Sequence, residues 1–508
     1  MPFPFRSLLL PMLVFSIVAA AGSVTKLGLS DNDLHGIKGD HITPISSLKE
    51  LHLNACGIQS DDIGSVFSIV AAAGSVTTLF LNDNDLHGIK GDHITPVSSL
   101  KELHLNACGL QSDDIGPVFS IVAAAGSVTT LFLKDNDLHC IKGDQITPVS
   151  TLKELHLYAC GVKSDDIGPV FSIVGAAGSV LKLKLKDNDL HGIEGDHITP
   201  VSSLKKLLLC ACGIQSDDIG SVFSIVSAAG SVMRLVLQDN DLHGIKADQI
   251  TRVSSLEELL LVKCGIQSDD IGSVFSIVSA AGSVMRLALK ENDLHGIKAD
   301  QITRVSSLKE LILAECGIQS NDIGSVFSIV AAAGSVMRLV LQDNDLHGVK
   351  ADRITPVSSL TVLYLYACGL QRDDIGPVFS VVGAAGSVLK LNLKDNDLHG
   401  IEGDHITPVS PLKELLLCAC GSIKRVWLKG NNLRGMRGNQ ITAVSSLKFL
   451  SLTDCGLQTD ECRALAMSLE SFFQVNRPGH TQTQGSELNA LMGKTLCPNQ
   501  FRPIELPG

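Results

Sequence analysis

A 52-residue stretch recurs almost unchanged along the chain, and a sequence built this way has few folds open to it. The segment Asp83–Leu86 returns at Asp31–Leu34, Asp135–Leu138, Asp187–Leu190, Asp239–Leu242, Glu291–Leu294, Asp343–Leu346 and Asp395–Leu398, each step being 52 residues. Within one unit, Ser75 to Gly126, two halves of 26 residues share a skeleton: Val76, Leu79, Leu81, Asn84 and Leu86, then Leu100, Leu103, Leu105, Cys108 and Leu110. Leu79 and Leu81, two residues apart, point to one face of a strand and Phe80 to the other. After the strand, Asn84 is placed to hydrogen-bond turn backbone that burial would otherwise strand, and Cys108 fills the same slot as a small hydrophobe. Neighbouring coils then cover one another's apolar edge, so the length does not translate into several separate globular domains.

The skeleton resembles the leucine-rich-repeat signature L-x-x-L-x-L-x-x-N/C-x-L. It recurs eighteen times between residues 23 and 475, nine Asn-type halves alternating with nine Cys-type halves. That alternation resembles the ribonuclease-inhibitor class of these proteins. The resemblance implies an α/β solenoid, a curved horseshoe with a parallel sheet on its concave side and helices or turns on its convex side. It also implies a protein ligand on the concave face, as in cytosolic sensor and regulatory proteins.

The two halves predict different outer sides. In the Cys-type half, Ser112 is read as an N-cap with Asp113 and Asp114 in an acidic first turn, followed by Ile115, Val118, Phe119 and Val122 at helical spacing and a stop at Gly126. The Asn-type half carries Gly91, Thr95 and Pro96 and predicts a turn or one short helical turn.

Charge and cysteine usage narrow the partners. A net charge of −12 argues against nucleic acid, which needs a basic surface. Eight of the fourteen cysteines, Cys56, Cys108, Cys160, Cys212, Cys264, Cys316, Cys368 and Cys420, stand 52 residues apart. Two stacked strands separate neighbours by roughly 10 Å, too far for a disulfide, so buried thiols and a reducing, cytoplasmic setting are expected. No later segment has about 18 uninterrupted apolar residues, so no membrane span is expected.

The pattern breaks at three places. Residues 1–22 duplicate part of a repeat helix, Val14–Val24 matching Val66–Val76, yet Arg6 followed by Leu8 to Ala21 also has the form of a secretory signal, which would make the chain a secreted recognition receptor. Near Gly421 the chain omits the 17 residues that follow Cys368-Gly369 in the previous unit, so a kink or looped-out coil is expected there. Residues 476–508 lose all periodicity and read as a polar, disordered tail.

Variation between repeats collects on the strand's outward position. His52, Phe80, His104, Phe132, His156, Leu208, Leu260, Ile312, Tyr364 and Trp427 occupy it, with Tyr366 two residues on, and these are the expected protein-binding residues. Neutral drift after duplication would scatter the same positions without purpose. Two positions earlier, Arg234, Arg286 and Arg338 alternate with Glu258 and Glu310 and predict an ion-pair ladder along the sheet.

Catalysis finds little support. Asp31–Gly36 begins like a calcium loop, but its fifth position is His35 and its twelfth is Ile42, where a bidentate glutamate is required. The row His35, His87, His139, His191 repeats too regularly for one active site and predicts turn packing. His52, His104 and His156 would make binding pH-dependent below about pH 6.5. No nucleophile elbow, Walker or zincin sequence is present, so a metal-dependent or hydrolytic enzyme is the remote alternative to a scaffold without cofactors.

Overall fold

The leucines at alternate positions decide which way each strand faces. Leu79 and Leu81 are fully buried while Thr78 and Phe80 on either side of Leu79 are half-buried, and Leu103 and Leu105 repeat this beside Glu102 and His104. In the computed structural model the described residues are 6–396, apart from stretches at 39–44, 93, 144–145, 196–197, 248–249, 300–301, 351–353 and 394; beyond them are the strands Arg425–Trp427, Phe449–Ser451 and Ile504–Glu505.

Two compact units share the chain, one of residues 1–242 with 248–260, the other of residues 243–247 with 261–508. Each is a leucine-rich-repeat solenoid. In the first, ten three-residue strands from Lys26–Gly28 to Glu258–Leu260 pair in parallel, each with the next in sequence. In the second, five strands from Arg286–Ala288 to Lys390–Asn392 do the same. Register is constant, but the step is not: Thr78 pairs with Glu102, 24 residues on, and Glu102 with Thr130, 28 on. The extra length belongs to the helical half.

That half carries a short 3-10 turn and then a helix, as at Ser112–Asp114 and Ile115–Ala125. Gly126 ends the helix at φ 77°, a left-handed conformation glycine adopts without a Cβ penalty. The cap residue differs from the sequence expectation. It is Asp114, not Ser112, whose buried carboxylate accepts the backbone N–H of Gln111 at 2.8 Å and, across the coil, that of Gly88 at 2.9 Å. The Asp114 carboxylate thereby ties its own turn to the preceding coil. The Asn-type half has no helix among the described residues, in line with its Gly, Thr and Pro content.

The core lies between strands and helices. Phe67, Phe119, Phe171 and Phe223 in the first unit and Phe275, Phe327 and Phe379 in the second are all about 1% exposed. In the second unit the strand leucines Leu363 and Leu365 and the helix residues Phe327 and Val378 line one internal space. Each buried phenylalanine contributes about 2 kcal/mol of transfer free energy.

The Asn and Cys slots do what their chemistry suggests. Asn136 accepts the N–H groups of Cys108 and Leu110, each at 3.0 Å, and donates to the carbonyls of Leu105 and Leu133, each at 2.8 Å. Four backbone groups of two adjacent coils are thereby satisfied by one amide. Cys108 donates its thiol to the Leu81 carbonyl at 3.1 Å, and burial pushes that thiol up to about 12. Cys56, Cys108, Cys160, Cys212, Cys264, Cys316 and Cys368 are buried and form no disulfide.

The first helix spans Arg6–Ala21, with Phe15 and Val18 buried as the later helices bury theirs. The break expected at Gly421 and nearly all of the expected tail at 476–508 lie outside the described residues. Of that tail only Ile504–Glu505 is described, antiparallel to Phe449–Ser451. No helix among the described residues is long and apolar enough to cross a membrane.

Candidate recognition surface

Parallel strands in constant register place one outward side chain per strand about 4.8 Å from the next, close to the stacking distance of flat rings. The first unit uses that coincidence. His52 and Phe80, Phe80 and His104, and His104 and Phe132 stack with centroids 4.2, 4.2 and 4.0 Å apart, the last pair within 7° of parallel. Phe132 and His156 continue at 4.2 Å with a tilt of 58°, and Tyr158 closes the run 5.4 Å beyond His156. Six rings from five strands form one ladder.

Carboxylates flank the histidines. Glu50 Oε2 lies 3.4 Å from His52 Nε2, Glu102 Oε2 lies 3.6 Å from His104 Nε2, and Glu154 Oε2 lies 3.2 Å from His156 Nε2. Burial outweighs those carboxylates at His104 and His156. It pushes His104 below the usual imidazole range and His156 down to about 4, with Lys184 adding repulsion at His156. His156 is the most enclosed, and its Nδ1 is buried without a hydrogen-bond partner among the described residues. Protonation of His104 and His156 is therefore displaced below the pH ~6.5 of an ordinary histidine.

The ladder ends in a cluster of charge. Lys182 and Lys184 approach Glu154 at 3.4 and 3.7 Å, and the Lys184 ammonium sits 6.0 Å from the Tyr158 ring centre. Burial and the neighbouring Lys182 push Lys184 below its ordinary range.

Leu208, Leu260, Ile312 and Tyr364 keep the same strand position, with Tyr366 two residues beyond. Leu208 and Leu260 in the first unit, and Ile312, Tyr364 and Tyr366 in the second, are half-buried. Arg338 lies 6.0 Å from the Tyr364 ring. Trp427 ends a strand that pairs with Phe449–Ser451 in a separate three-stranded sheet, so its backbone is not in the sheet that carries the rest. The structure therefore brings His52, Phe80, His104, Phe132 and His156 into direct contact.

Two rows resolve as expected. Arg234 pairs with Glu258 at 3.4 Å, and Glu310 pairs with both Arg286 and Arg338 at 3.5 Å. The turn histidines hold the capping carboxylates, His87 Nδ1 lying 3.1 Å from Asp114 Oδ2 and His347 Nδ1 lying 3.0 Å from Asp374 Oδ2. Among the described residues one such turn, His191 with Asp217 and Asp218, brings three potential metal-ligand atoms together. Both oxygens of Asp218 are already committed to backbone N–H groups of Gly192 and Gln215, so the turn is a cap before it is a cation site.

One expectation needs correcting. The sign of the third-position row does not alternate throughout: Lys182, Lys206 and Arg234 stand on three consecutive strands in register. The same strand position upstream of Arg234 carries the three cations in the sequence itself, whereas Tyr158, four residues beyond Glu154, joins the ladder only through its contact with His156.

Sequence relatives agree with this architecture. Ribonuclease inhibitor from Mus musculus is 24% identical over 368 residues, covering 66% of this chain and 80% of that protein. NACHT, LRR and PYD domains-containing protein 3 from Homo sapiens is 25% identical over 278 residues, covering 50% of this chain but only 26% of that protein. An internalin from Listeria monocytogenes is 18% identical, with a TM-score of 0.29 over 78% of this chain and 85% of that one. No family model matches the chain. The alternating Asn and Cys slots, the parallel strand ladder and the sequence relatives together identify the chain as a leucine-rich-repeat protein of the ribonuclease-inhibitor-like type.

Proposed function

We propose that the chain is a non-enzymatic recognition scaffold that binds a protein ligand on the strand face of its repeats, in a reducing, cytoplasmic compartment. One observation carries the reading. Repeats that are almost identical in their frame differ at the outward strand positions, and in the first unit those positions assemble a continuous ring ladder. Its rings, half-buried apart from the buried His156, present broad apolar edges at little further cost in side-chain entropy, which suits interface anchors. The ribonuclease inhibitors are by name binders of another protein, which supports the same use of the fold here. The uncrosslinked buried thiols favour the reducing setting.

The test is affinity capture followed by a binding isotherm with the purified partner. Partner affinity should fall at least tenfold in a Phe80→Ala, Phe132→Ala, Tyr364→Ala variant that still melts cooperatively. A partner held equally by that variant would place recognition elsewhere and overturn the reading.

A further inference from the structure

The three consecutive cations are what this fold's own stability does not ask for. Elsewhere in the first unit the third strand position either alternates in sign, as in Lys26 to Glu50 at 2.9 Å and Arg234 to Glu258, or is occupied by threonine, as at Thr78 and Thr130. Like charges side by side on neighbouring strands are unfavourable. Yet Lys182 lies beside Lys206, and Lys206 beside Arg234. Lys182 has Glu154 and Arg234 has Glu258, while Lys206, exposed like its neighbour Lys205, forms no ion pair with a described residue. Lys184 adds a fourth cation two residues beyond Lys182 on the same strand. In a protein with a net charge of −12, this is a local positive field on a chosen face.

It adjoins the ring ladder. His156 and Tyr158 end where Lys182 and Lys184 begin, and Leu208 and Val236 follow on the next two strands. Hydrophobic edges and a cluster of cations, of which Lys206 forms no ion pair with a described residue, therefore form one surface.

We propose that this surface takes an acidic protein segment, one that combines glutamate or aspartate with apolar side chains, its carboxylates resting on Lys182, Lys206 and Arg234 and its apolar groups on the rings. The proposal rests on the strand-face reading above and adds the chemistry of the ligand. A single-stranded nucleic acid fits less well. Bases bind such platforms by stacking on free ring faces, and here the faces of Phe80 and His104 are each covered on both sides by neighbouring rings.

The experiment uses the full chain and three labelled probes followed by fluorescence anisotropy: a peptide of glutamate and leucine, its lysine counterpart, and a single-stranded RNA. The acidic peptide should bind, weaken as salt rises from about 50 to about 300 mM, and lose about tenfold in affinity in Lys206→Glu. The same substitution restores the alternation Lys, Glu, Arg along the sheet, so Lys206→Glu should melt no lower than the parent. Loss of binding with retained or raised stability separates a ligand contact from a structural one. Acidic-peptide binding unchanged in Lys206→Glu, preference for RNA, or no binding of any probe would overturn the proposal. Preference for the lysine peptide, with sensitivity to Phe132→Ala, would overturn the acidic class while leaving the strand face as the binding surface. Acidic-peptide binding indifferent to both Lys206→Glu and Phe132→Ala would remove both readings.

Discussion

Equivalent points of the repeat follow different charge logic in the two units. Arg286, Glu310 and Arg338 alternate in the second unit, and one glutamate serves two arginines at 3.5 Å. Lys182, Lys206 and Arg234 in the first unit share one sign and leave Lys206 unpaired among the described residues. The outward positions differ in the same sense, with stacked His and Phe rings in one unit and Ala288, Ile312 and Val340 in the other. The frame beneath both is nearly identical, so these differences are not demanded by folding. They lie on the strand face where the proposed ligand would rest, and they leave like charges side by side that folding alone does not favour.

The largest expected effect is one the two units should share. Asn136→Ala in the first and Asn344→Ala in the second each strand backbone groups of two coils, and each should cost about 3 kcal/mol or more by denaturant unfolding. A large effect in only one unit would mean that the frames are not equivalent.

Acid should distinguish the units next. His156 faces Glu154, Lys182, Lys184 and Tyr158, and burial holds it at about 4, below the ~6.5 of a free imidazole. The unfolded chain therefore takes up a proton in that interval that the folded chain does not. Stability from this site is intact above pH 6.5 and falls as pH drops towards 4, by on the order of 2 kcal/mol. Chemical unfolding of parent and His156→Gln between pH 7 and 4.5 should show the parent losing more; equal slopes would remove His156 as the cause.

How much of this was legible beforehand divides along the same line. The frame was readable, because Leu79, Leu81, Asn84 and Cys108 each have one structural use at their spacing and recur many times. The strand face was readable as a location, since outward positions follow from the strand period. The stacking was not. It depends on ring orientation and on Phe80 aligning with His104 in register, which composition does not state. The cap also escaped, because Asp114 acts on Gly88 in the preceding coil, a partner 26 residues away, while Ser112 satisfied every local rule for an N-cap.

Removing one ring gives a smaller effect. Phe132→Ala takes out the centre of the His104–Phe132–His156 run and should lower stability by about 1–2 kcal/mol, measured by thermal unfolding, whereas Val340→Ala at the matching position should cost less than about 1 kcal/mol. Equal losses would mean the ladder is no more than ordinary packing.

The smallest effect has opposite signs in the two units. Lys206→Glu should stabilise by about 0.5 kcal/mol and Glu310→Lys should destabilise by about 0.5–1 kcal/mol, both vanishing in high salt. Matching signs would dissolve the comparison.

The measurement that bears most directly on the account is a pair of binding isotherms for the captured partner. One uses Phe132→Ala on the strand face, the other Asp113→Lys on the exposed start of a helix-bearing turn. The account predicts at least a tenfold loss for Phe132→Ala and none for Asp113→Lys. The reverse pattern would contradict it.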